Sequence, residues 1–101
     1  MDETSLSQQQ SAQQRTGQTR RRLRAIEGQT HGLIRMLDEG RPAVDVLGQI
    51  AAVQEALAQV SKIVLRSVLE NSARLAHEAT TAEEAAIIYE DLLDIIYKYR
   101  R

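Results

Sequence analysis

Six aliphatic residues constrain this chain more than anything else in it. Val46, Ile50, Val53, Leu57, Val60 and Val64 follow one another at intervals of 4, 3, 4, 3 and 4. A 3.5-residue period keeps one side of a helix against a neighbour and is the pattern of a left-handed helix–helix seam. Val44, Leu47, Ala51, Ala58 and Leu65 widen the stripe. A long helix over about 42–78, touching more than one neighbour, is therefore predicted. Nothing in the sequence alternates like a strand. With 3% aromatics and neither Phe nor Trp, the core must be Leu, Ile, Val and Ala. A single domain of 101 residues buries a modest share of its surface, so self-association is expected to complete the core.

Two further helices flank the long one. The first is expected over about 19–39. Gly28 and Gly32 each weaken it by roughly 1 kcal/mol relative to Ala, yet their spacing puts small residues on one face, where another helix can approach. Gly40 occupies the usual C′ position, and Arg41-Pro42 turns the chain into the long helix. Thr80-Thr81-Ala82-Glu83-Glu84 starts the third helix, with capping-box spacing from Thr80 to Glu83 or from Thr81 to Glu84. That helix carries Ala86, Ile87, Tyr89, Leu92, Leu93, Ile95, Ile96 and Tyr99, and ends on Lys98, Arg100 and Arg101, favourable for its dipole. Residues 1–15 are polar and low in complexity, so they read as a disordered tail, or secondly as a DNA-contacting arm, ahead of a helical domain over 16–101. Three helices of such unequal length do not close a core alone. The expected fold is all-α, with helices 1 and 2 of two antiparallel chains packed as a four-helix-bundle dimer.

The charge is unevenly spread. Residues 1–24 hold five arginines against Asp2 and Glu3, a net of +3, and residues 78–101 hold six acids against three bases, a net of −3. Between Arg20 and Arg35 there are five arginines and one acid, Glu27, on a stretch whose Leu23, Ile26, Leu33, Ile34 and Leu37 have helical spacing. Such a helix buries one face and shows cations on another. Arginine forks onto phosphate oxygens, so Arg20, Arg21, Arg22 and Arg24 are candidate DNA contacts. No helix-turn-helix spacing or aromatic stacking platform accompanies them.

Other chemistry is thin. The chain has no cysteine, which excludes disulfides, thiolate metal sites and thiol redox sensing. His31 and His77 are the only imidazoles, and His77 with Glu78 and Glu83 has no tight metal spacing. Nucleophile–base pairs, a glycine-rich phosphate loop and paired catalytic carboxylates are absent, so neither an enzyme nor a cofactor is expected. No apolar run approaches a membrane span, and the polar start is not a secretory signal. A cytoplasmic protein is expected.

Residues 22–41, RLRAIEGQTHGLIRMLDEGR, and 44–60, VDVLGQIAAVQEALAQV, resemble the CsoR/RcnR/FrmR family of metal-sensitive bacterial transcriptional repressors. The resemblance covers residues 20–75 in order. It implies an antiparallel dimer that pairs into a flat dimer-of-dimers tetramer, operator DNA held by basic residues, and an effector at the dimer interface that releases the DNA. Arg22 matches the family's DNA-contacting arginine of helix 1. The region of a second basic contact holds Gln54 and Gln59, which leaves Lys62 and Arg66 as substitutes. The family's copper ligands are a cysteine after the first turn, then a histidine and a cysteine four apart; here those positions are Ala43, Val68 and Ser72. This chain thus resembles an atypical, cysteine-free member, with Val64 beside the same interface.

The expected function is a repressor binding double-stranded operator DNA as a homodimer or homotetramer, released by a small organic molecule rather than through cysteine. One alternative is a Ni, Co or Zn sensor using His and carboxylates. Another is a helical scaffold without DNA binding, which the retained arginine run argues against.

Overall fold

The computed structural model describes residues 3–99. Arg100 and Arg101, expected at the end of the third helix, lie outside them. Among the described residues the chain is all-α, with three helices and no strand: α1 Glu3–Asp38, α2 Ala43–Glu78 and α3 Ala82–Tyr99. It divides into two compact units, one ending at Ile63 and the other starting at Val64.

In the first unit α1 begins at Glu3 and takes in most of the stretch predicted as a tail; the expected start near residue 19 is corrected accordingly. Gln, Ala and Ser propagate a helix at little cost once a packed segment has nucleated it, and no glycine or proline interrupts residues 3–16. The Thr16 and Thr19 hydroxyls donate back to the carbonyls of Ala12 and Arg15, at 3.0 and 2.7 Å, so neither is lost inside the helix.

Gly40 ends α1 as predicted. Its φ of 67° is left-handed. The Arg41 N–H donates to the Met36 carbonyl (2.9 Å) and the Gly40 N–H to Leu37 (3.1 Å). Those two bonds form a Schellman motif. Asp45 and Val46 then donate to the Pro42 carbonyl, which opens α2. Arg41 braces the turn through an exposed ion pair with Asp45 at 3.1 Å.

The apolar seam of α2 divides. Val46 and Val53 are half-buried and Val60 is buried, with Gln49, Ala56 and Ile63 half-buried along the same line. Ile50, Leu57 and Val64 are 37%, 44% and 50% exposed. The inward line therefore runs 46, 49, 53, 56, 60, 63, in the predicted period but with every second member displaced by one residue. Small Ala56 lets a neighbour come close, while larger Leu57 is left outside. Only Ile26 of α1 and Val60 of α2 are buried apolar side chains among the described residues, each 8% exposed. The glycine pair makes no close approach here: a Cβ on Gly28 would meet nothing, and one on Gly32 only the Arg35 side chain.

In the second unit Leu65, Val68, Ser72 and Ala76 of α2, Ala79 just after it, and Ala85, Ile88, Leu92, Ile95 and Ile96 of α3 are the half-buried lines. The start of α3 selects one of the two capping alternatives. The Glu84 N–H donates to Thr81 Oγ1 at 3.1 Å, so Thr81 is the N-cap. The Glu84 carboxylate reaches one residue further back, accepting the Thr80 N–H and hydroxyl at 3.0 and 3.1 Å. The backbone bond from Thr80, then its hydroxyl, hold the Glu84 carboxyl below the ordinary glutamate range.

Gly40→Ala is expected to destabilise the fold by about 1–2 kcal/mol, the cost of a Cβ in left-handed backbone, as measured by urea unfolding. A depressed carboxyl pKa stabilises above the unfolded value, about 4.3, and that contribution is lost as pH falls through the folded value. The melting-temperature gap between wild type and Glu84→Gln should be present at neutral pH and close as the pH drops below about 4.

Candidate nucleic-acid interface

The arginine run sits on continuous helix, and Arg20, Arg21, Arg22 and Arg24 are all exposed. Among the described residues none of the four forms an ion pair. The contrast with three arginines further along the chain is direct. Arg41, Arg66 and Arg74 are each tied to an acid four residues on, Asp45, Glu70 and Glu78. The run lacks such acids: between Glu3 and Glu27 there is none. Its charge is therefore available to an outside anion.

The four arginines do not share a face. At 3.6 residues per turn, Arg22 lies about 40° around the helix from buried Ile26, whereas Arg20, Arg21 and Arg24 lie about 120–160° away. Arg22 is thus beside the packed side of α1 and the other three are on its back. Lys62 is exposed on α2. Arg66 is exposed too, but its Nε donates to Glu70 Oε1 at 3.2 Å. An exposed pair of this kind is worth little and yields readily to a phosphate. Gln59 is engaged along its own helix, donating to Glu55 Oε1 at 3.1 Å.

The three positions expected from the resemblance to replace copper ligands, Ala43, Val68 and Ser72, lie on α2. Ala43 is its first residue and is exposed. Val68 and Ser72 follow 25 and 29 positions later, one turn apart and half-buried. No thiolate stands at any of them, so soft copper, which needs sulfur donors, does not fit this set. Among the described residues no three His, Asp or Glu side chains gather into a metal site, and His31 and His77 are exposed. No helix is long and apolar enough to cross a membrane. A shallow apolar notch at the α2–α3 corner is lined by Leu75, Ala79, Ile87 and Ile88, with Glu78 and Glu84 at its rim.

The profile of the family described as "Metal-sensitive transcriptional repressor" matches residues 16–98. The chain belongs to this family. It is a family of repressors, not of enzymes. Among its relatives, the copper-sensing transcriptional repressor RicR of Mycobacterium tuberculosis is 49% identical over 41 residues, 41% of this chain and 43% of that protein. The copper-sensing transcriptional repressor CsoR of Bacillus subtilis is 34% identical over 80 residues, 79% of this chain and 76% of that protein. CsoR of M. tuberculosis is 39% identical over 49 residues, 48% and 41% of the two chains. The matched stretch thus spans less than half of both mycobacterial relatives and about three quarters of the Bacillus one. No solved structure matches the chain.

Proposed function

We propose that this protein is a DNA-binding transcriptional repressor that acts as a homo-oligomer in the cytoplasm and is released from its operator by an effector sensed without cysteine. One observation carries the reading: a repressor-family chain keeps an acid-free run of unpaired arginines on an exposed helix. Arg22 is the principal contact, with Arg20, Arg21, Arg24, Lys62 and Arg66 supporting it. A DNA-binding and oligomerisation domain over 16–101, after the polar segment 1–15 expected as a disordered tail, is supported by the family match, which covers residues 16–98.

Apolar surface supports assembly into an antiparallel four-helix-bundle dimer and a flat tetramer. Leu47, Ile50, Leu57 and Val64 form a second stripe on α2, exposed along its length, and Leu23, Ile34 and Leu37 of α1 are exposed as well. The family resemblance supports a pocket at the interface of two antiparallel copies, lined by Ala43, Val64, Val68 and Ser72. Its aliphatic lining suits a small organic effector. The second reading, a metal effector bound through nitrogen and oxygen, is favoured by the relatives' names, which are those of copper sensors. Its donors would be His31, His77 and carboxylates brought together from different copies.

A gel shift on the promoter of the protein's own gene, over a salt series, tests the repressor reading. Affinity is expected to fall about 10³-fold or more between 50 and 200 mM salt if six or more phosphates are engaged, and Arg22→Ala should remove most of it. A flat salt response in the wild type would favour a scaffold. For the effector, sub-micromolar Ni(II), Co(II) and Zn(II) are expected to leave the complex intact. Metal-driven release that His31→Ala or His77→Ala abolishes would establish the second reading instead.

A further inference from the structure

The back of α1 carries a surface that the arginine run alone does not describe. Gln10, Gln13, Gln14, Gly17, Arg20, Arg21 and Arg24 all fall within about 60° of the direction opposite Ile26. They form one polar stripe, about 21 Å long from residue 10 to residue 24 at 1.5 Å per residue. No acid interrupts it. Its middle is concave: Gln10, Gln13, Gln14, Gly17 and Arg21 line a notch. Gly17 makes the notch, because a Cβ there would occupy it, with only the Arg21 guanidinium 3.8 Å away.

The chemistry of the notch is that of an anion seat. Each glutamine amide offers two N–H donors and the guanidinium up to five. Arginine and glutamine both bond phosphate oxygens in protein–DNA interfaces. Arg22 is on the other side of the helix, so a contact through the back face is distinct from the one assigned to Arg22.

We propose that the back of α1 is a second DNA-backbone contact, with a phosphate seated over Gly17 between Arg21 and the amides of Gln10, Gln13 and Gln14, and with Arg20 and Arg24 holding neighbouring phosphates. This rests on the reading of the protein as a binder of duplex DNA. It makes the Gln-rich stretch part of the grip on DNA. Because backbone contacts carry no sequence information, this surface raises affinity for any duplex, whereas Arg22 acts within the operator complex.

The test uses the full chain, a duplex from its own promoter and a shuffled duplex of the same length, over a salt series. Arg20→Ala/Arg21→Ala/Arg24→Ala is expected to reduce the slope of log affinity against log salt by about three, nearly one for each phosphate no longer neutralised, on both duplexes. Gln10→Glu/Gln13→Glu/Gln14→Glu keeps helix propensity and should weaken both complexes at least tenfold. Gly17→Ala fills the notch and should weaken binding severalfold while raising the melting temperature, which a merely structural glycine would not do. Wild-type affinity and slope in the glutamate and alanine triples, with Arg22→Ala still defective, would overturn the second contact and leave the repressor reading standing. Failure of the wild type to bind either duplex would overturn both. Binding to anionic phospholipid vesicles with none to DNA would reassign the stripe to a membrane and overturn the proposal.

Discussion

The burial of two aliphatic side chains, Ile26 of α1 and Val60 of α2, is what the first unit depends on. Residues 1–63 include no aromatic side chain to anchor a core, and a helix pair can seat only those residues that fall on its narrow shared line. Val46, Val53 and Val60 take that line, with Ala56 and Gln49 between them. Fully burying one such side chain is worth roughly 1.5–3 kcal/mol, too little to offset the ordering of two 36-residue helices. In the proposed assembly the second stripe of α2 supplies the missing burial, against another layer of helix.

Electrostatics divides the molecule along the same chain. In α2 the arginines stand four residues before acids and spend their charge locally. In α1 no acid lies between Glu3 and Glu27, and the charge of Arg20, Arg21, Arg22 and Arg24 stays outward. The two helices have the same length, 36 residues each. Pairing distinguishes a helix that is self-contained from one that seeks an anion.

Local chemistry was legible where a residue type admits few conformations. Gly40 could be placed at a left-handed helix end because only glycine adopts that backbone freely, and the Schellman bonds are its consequence. The Thr80–Glu84 cluster announced a cap but left its register open, since two Thr–Glu pairs share one spacing; only the bond from the Glu84 N–H chooses Thr81. The seam's period was legible and its inward members were not. A 3.5-residue pattern is satisfied equally by residues 50 or 49 and 57 or 56, and the choice rests on how closely a neighbour approaches. The start of α1 was the largest departure. Glutamine-rich sequence has composition typical of disorder, yet no residue in it forbids a helix. The separation of Arg22 from Arg20, Arg21 and Arg24 follows from helix geometry alone. The stripe beyond Arg20 became visible only once α1 was known to continue to Glu3.

The exposed line Leu47, Ile50, Leu57 and Val64 has a consequence for control. If a second copy covers it, folding and assembly become one concentration-dependent equilibrium. Occupancy of a DNA site then rises faster than in proportion to the number of chains in the cell. The abundance of the protein becomes an input alongside any effector, and a modest dilution, as in growth or division, would thin the repressed state before any ligand arrives.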